Sequence, residues 1–158
     1  MNSLGEAIGE LCKVILPIPE HYFLGNPEST ICVCTLSSIN LLKKFEKSEI
    51  LEDIFIAGRL LSENKGIDSI IEFVNKNQKI KAIIVCGKEV SGHKAGHSLF
   101  ELHKNGIDSN CRIINSTSPD PYLLASKSKV EYFQNKIDLV NLINETNFDK
   151  IIKTIREI

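Results

Sequence analysis

The sequence has few arginines and no excess of charge of either sign. Nineteen lysines and arginines stand against twenty acidic residues, which gives a formal net charge of −1. Only three of the basic residues are arginines: Arg59, Arg112 and Arg156. A balanced chain creates no general field that attracts a polyanion, and bidentate readout of phosphate or guanine is poorly supplied. We therefore expect no nucleic-acid partner.

The sequence also lacks long apolar runs and paired cysteine motifs. No stretch of about 18 apolar residues is present, so we expect no membrane span. The start of the chain carries Glu6 and Glu10 rather than a basic segment followed by an apolar run, which does not fit a secretory signal. The five cysteines form no CxxC pair, which argues against a disulfide framework or a zinc ribbon. These absences predict a cytoplasmic protein.

Strand and helix patterns alternate along a chain whose 158 residues suit one domain. Apolar, β-branched runs predict strands, and helical spacing of apolar residues predicts the helices between them. The predicted strands are residues 30–36, 54–57, 82–86, 112–115 and 137–143. The predicted helices are residues 4–15, 38–47, 67–77, 93–105, 128–136 and 146–157. This alternation predicts an α/β fold, a Rossmann-like three-layer sandwich with a mostly parallel sheet of about five or six strands.

In such folds a ligand binds beyond the carboxyl ends of the strands, and four loops follow the predicted strand ends. They are residues 37–38, 58–66, 87–93 and 116–122. The third is rich in glycine: Gly87, Gly92 and Gly96 permit close backbone approach to a bulky ligand. Ser91 is a candidate N-cap, which places His93 on the first turn of the following helix.

His93 has three interpretations from the residues alone. It can cap or pack at a helix start, act as a general base or metal ligand in an enzyme pocket, or ligate the metal of a cofactor. His97 lies four residues on and could share a helix face with His93, but the sequence offers no obvious third zinc ligand. The loop is not GxGxxG and has no GK[ST] ending, so a nucleotide fingerprint is absent.

Several blocks of the sequence form a recognisable series. The first are Leu24-Gly25-Asn26-Pro27-Glu28-Ser29, Ile56-Ala57-Gly58, Glu63-Asn64 and Gly66-Ile67. The longest is Cys86-Gly87-x-Glu89-Val90-x-Gly92-His93-x-x-Gly96, and Leu102-His103-x-Asn105-Gly106-Ile107-Asp108 follows it. Together these blocks resemble the A-subunit family of tetrahydromethanopterin S-methyltransferase, corrinoid-binding methyl carriers of archaea. The similarity covers residues 22–145, within a single domain of residues 1–158 whose first 20 residues form an extension.

The resemblance implies a Rossmann-like unit that holds cobalamin, a cobalt corrinoid, with His93 as the lower axial ligand of cobalt. The other residues expected to surround the cofactor come from the four loops and the adjoining helix start. They are Ser62, Glu63, Asn64, Gly66, Gly87, Lys88, Glu89, Val90, Ser91, Gly92, Gly96, His97, Ser116, Thr117, Ser118, Pro119 and Tyr122. Glu89 is the candidate acceptor for the second ring nitrogen of His93.

The implied function is a methyltransferase subunit that accepts a methyl group from a methyl-pterin through a partner methyltransferase. It then passes the group to an acceptor such as a thiol, and it is expected to be inactive without partners. The loops of residues 58–66 and 116–122 depart from the usual family pattern, and His97 stands where the family typically has glutamine. Two alternatives therefore stay open: a scaffold or regulatory module that has lost corrinoid binding, and a zinc or nucleotide enzyme on the same fold.

Overall fold

The computed structural model describes residues 22–158, so the predicted helix at residues 4–15 lies outside the described residues. The strands are β1 (Tyr22–Leu24), β2 (Ile31–Cys34), β3 (Ile56–Gly58), β4 (Ala82–Gly87) and β5 (Asp138–Ile143). The α-helices are α1 (Ile39–Glu46), α2 (Lys65–Lys76), α3 (Ala95–Asn105), α4 (Lys127–Lys136) and α5 (Phe148–Glu157). A 3₁₀ helix spans Glu49–Asp53.

The strands form one sheet in the order β1-β3-β2-β4-β5. Strands β3, β2, β4 and β5 run parallel, and β1 pairs antiparallel with β3. All six residues of β4 are buried, as a continuous apolar strand covered on both faces requires. The predicted α/β class with a mostly parallel sheet is confirmed. The three-residue strand β1 was not predicted, because its few residues are too short a window for a periodic pattern.

Helices cover both faces of the sheet and build two apolar clusters. On one face, Ile67 and Ile71 of α2, Leu99 of α3 and Phe133 of α4 pack against the sheet. The other face is covered by α1, α5 and the 3₁₀ helix, whose contributions include Phe45, Ile50, Ile151 and Ile155. The helical stripes of the sequence therefore mark the buried sides of these helices.

The strand predicted at residues 112–115 does not join the sheet. Ile113 and Arg112 form only isolated antiparallel bridges, to Ile107 and Tyr122 respectively. Cys111 and Asn115 have φ angles of 62° and 64°, so the chain turns in the left-handed region on both sides of the segment. Ile113 is fully buried, which explains the apolar signal, but these turns stop the segment from extending into a strand.

Candidate functional site

The carboxyl ends of β2 and β4 meet at the point where the strand order reverses. The chain leaves β2 for β3 on one side and returns from β3 to β4 on the other, which is where doubly wound sheets bind ligands. The amide and hydroxyl of Ser37 both donate to the carbonyl of Lys88, at 3.1 and 2.8 Å. The Ser38 hydroxyl accepts from the Lys88 amide at 2.8 Å. The two loops are thus joined by hydrogen bonds at this point.

The three glycines of the long loop serve different purposes. A Cβ on Gly87 would lie 2.3 Å from the Thr35 carbonyl oxygen, and one on Gly96 would lie 2.9 Å from Glu89 Oε2. These two glycines therefore allow neighbouring segments of the chain to pack closely against their backbone. Gly92 has φ of 79° and open space at its Cβ position. Of the three, only Gly92 leaves room for a ligand beside its backbone.

Glu89 caps the start of α3. Its Oε1 accepts from the amides of Val90 and Gly96, at 2.7 and 3.0 Å, and its Oε2 accepts from the His97 amide at 2.8 Å. A carboxylate suits this place because it satisfies free amides at the positive end of the helix dipole. The prediction that Ser91 caps the helix is therefore wrong. Glu89 is also not the partner of the His93 ring, because its carboxylate is turned towards these amides and His93 Nδ1 lies 2.9 Å from Glu63 Oε2.

His93 lies before α3 rather than on its first turn. The helix begins at Ala95, because Gly92 and Lys94 adopt left-handed backbone angles of 79° and 49° and so cannot continue a helical turn. His93 and His97 consequently do not share a helix face. The break turns His93 out of the helix, and its side chain is 57 % exposed.

Glu63, from the loop after β3, holds the His93 ring. His93 Nδ1 lies 2.9 Å from Glu63 Oε2, and the glutamate side chain is only 1 % exposed. The amide of Asp120 donates to the other carboxylate oxygen, Oε1, at 3.0 Å. A buried carboxylate that can only accept directs the Nδ1 proton towards itself. The neutral ring then has its free lone pair on Nε2.

The pKa of the Glu63 carboxyl is lowered despite its burial. Desolvation is the largest single influence and would raise the pKa. Hydrogen bonds from the amides of Glu63 itself and Asp120, together with the bond and charge of His93, outweigh it. Glu63 is therefore ionised at neutral pH and stays an acceptor for His93.

The loop of residues 116–122 packs over this histidine–glutamate pair. Asn64 Nδ2 donates to the Asp120 carbonyl and carboxylate, at 3.2 and 3.0 Å. The Thr117 amide donates to His97 Nε2 at 3.1 Å, so that nitrogen is an acceptor. Residues of four segments thus converge around His93: the loops after β3 and β4, the start of α3, and this loop.

A buried hydroxyl cluster anchors the same loop to α3. The Ser98 hydroxyl lies 2.6 Å from the hydroxyls of both Ser116 and Ser118. The Ser118 hydroxyl also donates to the Lys94 carbonyl at 3.2 Å. Ser116 and Ser118 were predicted to contact a cofactor, but both are at most 5 % exposed and their hydroxyls bond within the protein. They position the loop from beneath.

The remaining predicted site residues lie in different surroundings. The Ser62 hydroxyl accepts from the Gly66 amide at 2.8 Å, in the first turn of α2, whose N-cap is Asn64. Lys88 lines a cavity of about 400 Å³ with Ser37, Ser38 and Lys44, and neither His93 nor Glu63 lines it. Tyr122 is 48 % exposed. Gly66 is the second residue of α2, whereas Val90, Pro119 and the other backbone positions lie in the converging loops.

Sequence reasoning named Glu63 but not its role, and it did not single out Asp120. The Glu63 carboxylate lies 30 residues from His93 and 57 from the Asp120 amide that also bonds it. No spacing rule connects such residues. The usable signal was the placement of residues 58–66 and 87–93 at strand ends, because parallel strands bring such loops to one edge.

Comparison with known proteins gives the family. A family model named MtrA, which describes the A-subunit of tetrahydromethanopterin S-methyltransferase, matches residues 15–158. The A-subunit of the putative methyltransferase Mtx from Methanosarcina barkeri is 39 % identical over 137 residues, which are 86 % of this chain and 66 % of that protein. The first of two tetrahydromethanopterin S-methyltransferase A-subunits of Methanothermobacter thermautotrophicus is 36 % identical over 138 residues, 86 % of this chain and 56 % of that protein.

The second of those two Methanothermobacter thermautotrophicus proteins is 32 % identical over 150 residues. That match covers 89 % of this chain and 79 % of the relative. The chain spans just under two thirds of the Methanosarcina barkeri protein and little more than half of the first Methanothermobacter protein. None of the helices in residues 22–158 is long and apolar enough to cross a bilayer. The chain belongs to the A-subunit family of tetrahydromethanopterin S-methyltransferase.

Proposed function

We propose that this chain is a cobalamin-binding methyl-carrier subunit of a methyltransferase, with His93 as the lower axial ligand of cobalt. One observation carries the proposal: the buried Glu63 carboxylate holds His93 Nδ1 at 2.9 Å, while the imidazole itself is largely exposed. Metal-ligating histidines commonly donate their second ring N–H to a carboxylate, which fixes the tautomer and raises ligand basicity. His93 is arranged in this way.

The donor set favours a corrinoid over a bare metal ion. Within residues 22–158 no group of three or more histidine, cysteine, aspartate or glutamate side chains could hold a metal ion. Structural zinc takes four protein ligands and catalytic zinc about three. A corrinoid would bring its own ring nitrogens, so that a single protein nitrogen could complete its ligand set. A single presented imidazole fits that requirement.

The chain's residues would bind and orient the cofactor, which carries the chemistry. When bound, the corrinoid supplies the metal centre that takes up and releases the methyl group. Glu63 keeps the His93 proton on Nδ1, so Nε2 stays free to ligate. The exposed backbone beside Gly92 and the loop of residues 116–122 would contact the edge of the macrocycle. His97, whose Nε2 accepts from Thr117, would hold that loop.

The reaction partners are proposed from the names of the relatives. The relatives' names specify tetrahydromethanopterin, so we propose a methyl-pterin donor that acts through a partner methyltransferase, with a thiol as acceptor. Cys32, Cys34 and Cys86 are buried, and burial raises the pKa of each thiol. They are not available as methyl acceptors. We expect the carrier to work in the cytoplasm and to need its partners for turnover.

The test is reconstitution with cobalamin. The purified chain is mixed with hydroxocobalamin, passed through gel filtration, and studied by absorption spectroscopy and cobalt analysis. We expect retained cobalt and a spectrum that changes in His93→Ala. His103→Gln is the matched control, because His103 Nε2 bonds the Ile137 carbonyl away from the site. Its spectrum should equal that of the wild type.

Two results would overturn the proposal in different ways. If the wild-type chain retains no corrinoid, the carrier role is refuted and a scaffold role within a methyltransferase becomes the better account. If the chain retains corrinoid but His93→Ala leaves its spectrum unchanged, the carrier role stands and the assignment of His93 as ligand is refuted.

A further inference from the structure

Strand β5 forms an outer edge of the sheet in the part of the chain that the structure describes. Its six residues, Asp138–Ile143, contain no proline and no lysine. The opposite outer strand, β1, has only three residues and is followed by Gly25, Asn26 and Pro27. Natural proteins protect sheet edges by shortness, charge, proline or bulges. The β1 edge is protected in this way, whereas the β5 edge carries only Asp138 at its start.

Alternate residues of β5 direct their backbone groups away from the sheet. The Asp138 amide donates to the Lys81 carbonyl, and the Asn144 amide donates to the Gly87 carbonyl. Because bonding alternates along a strand, residues 138, 140, 142 and 144 face β4. Residues 139, 141 and 143 therefore face outward. The Ile143 amide donates to the Asn141 side chain at 3.0 Å, as an amide without a strand partner would.

The side chains of β5 also leave apolar surface at this edge. Leu139 and Ile143 pack against one core cluster, and Val140 and Leu142 pack against the other. All four are only partly buried, whereas every residue of the neighbouring β4 is buried. Within residues 22–158 the edge therefore has apolar side chains on both faces beside backbone groups that no neighbouring strand bonds.

The sequence of β5 is complementary to itself about a two-fold axis at Asn141. An antiparallel copy in that register pairs Leu139 with the second copy's Ile143, and Asn141 with its own equivalent. It pairs Val140 with Leu142 and places Asp138 opposite Asn144. The three outward-facing pairs can each exchange two backbone hydrogen bonds. Apolar residues meet apolar residues on both faces, and no like charges face each other.

We propose that β5 is a self-association surface, through which two copies of this chain pair antiparallel and extend the sheet across a two-fold axis. A two-fold dimer uses one patch twice and so requires self-complementarity, which the register at Asn141 provides. Pairing would satisfy the outward amides and carbonyls and cover the partly buried apolar side chains. The proposal does not depend on corrinoid binding.

Introducing a charge at residue 141, on the two-fold axis, tests the register. The mass of the purified full chain is measured by sedimentation equilibrium over a range of concentrations, where the monomer is 17.7 kDa. We expect dimer in the wild type. Asn141→Lys and Asn141→Asp each place like charges opposite each other and should raise the dissociation constant by roughly two- to fivefold. An equimolar mixture of the two variants should associate more tightly than either alone.

Asn141→Pro supplies a stronger perturbation. It removes an outward-facing amide and leaves the bonds from β5 to β4 in place, so the variant should fold and be monomeric. Asn40→Lys and Asn40→Asp, at an exposed position of α1, are the controls and should leave the dissociation constant unchanged. A wild type that is monomeric at every concentration would refute the proposal. So would a dimer that all three Asn141 variants leave intact, because its interface must then lie elsewhere.

Discussion

Glu63→Gln tests how the site selects the tautomer of His93. The carboxylate has two acceptor oxygens, which serve His93 Nδ1 at 2.9 Å and the Asp120 amide at 3.0 Å. A glutamine of the same shape has one acceptor oxygen and one NH₂ donor. The Asp120 amide can only donate, whereas the imidazole can move its proton to the other nitrogen. We therefore expect the glutamine oxygen to serve Asp120 and its NH₂ group to donate to Nδ1.

This exchange would move the ring proton to Nε2, the nitrogen that the wild type leaves free. Nitrogen-15 NMR of the imidazole in the protein without corrinoid reports the tautomer directly. The wild type should show protonated Nδ1 and Glu63→Gln protonated Nε2. Replacement of a charge-assisted hydrogen bond by a neutral one should also reduce the free energy of unfolding by about 1 kcal/mol. If Nε2 ligates cobalt, cobalamin affinity should fall by about 10–100-fold.

Glu101→Gln is the matched control, because it removes the same charge from α3 while its carboxylate bonds only Asn105 in the described part of the chain. It should leave the His93 tautomer unchanged. A Glu63→Gln protein whose imidazole still carries its proton on Nδ1 would contradict the argument. That result would mean that a contact other than Glu63 selects the tautomer.

Three further predictions concern stability and reactivity. Glu89→Ala removes the acceptor of three backbone amides at the start of α3 and should lower the free energy of unfolding by about 1–3 kcal/mol. The measurement is urea denaturation, and an unchanged midpoint would show that the cap is dispensable. Because the pKa of Glu63 is lower in the folded state, the unfolded state binds more protons below the ordinary glutamate pKa of about 4.3. The free energy of unfolding should therefore fall as the pH drops from that value through the folded pKa, and it should fall less steeply in Glu63→Gln. Equal slopes in the two proteins would contradict this prediction. Burial raises the pKa of Cys32 and Cys34 to about 12, whereas Cys111 is exposed. In a Cys12→Ser background at pH 8, Cys111 should therefore react with a thiol reagent at once, and the buried thiols should react only on unfolding. Early modification of more than one thiol would contradict this prediction.

Local pattern was enough to predict most of the fold. Ala82–Gly87 is uninterrupted and apolar, and it occupies the middle of the sheet with every residue buried. The helices have apolar stripes, and their observed bounds lie within two residues of those predicted. The segment at 112–115 was misassigned because burial of Ile113 resembles a strand signal, whereas left-handed turns at Cys111 and Asn115 are set by tertiary contacts.

In the candidate site, too, one part was predictable from the sequence and another was not. The position of His93 at the end of a strand loop followed from topology, and that loop does lie at the carboxyl edge of the sheet. The carboxylate that bonds the His93 ring was assigned to Glu89 and is Glu63, because the sequence alone does not distinguish one glutamate from another. Glu89 is near His93 along the chain but has turned to the amides of α3, while Glu63 arrives from another loop. Only three-dimensional placement distinguishes these two carboxylates.

Leu36, Gly87 and Asn144 follow or end three adjacent strands, and all have positive φ, at 49°, 78° and 70°. These three turns form the floor of the carboxyl edge of the sheet, where a positive φ is sparsely accessible to residues other than glycine. A saturation library should therefore tolerate substitutions on the exposed parts of the loops above this floor and reject them at the three turns. Redesign of the loops would then leave these turns untouched.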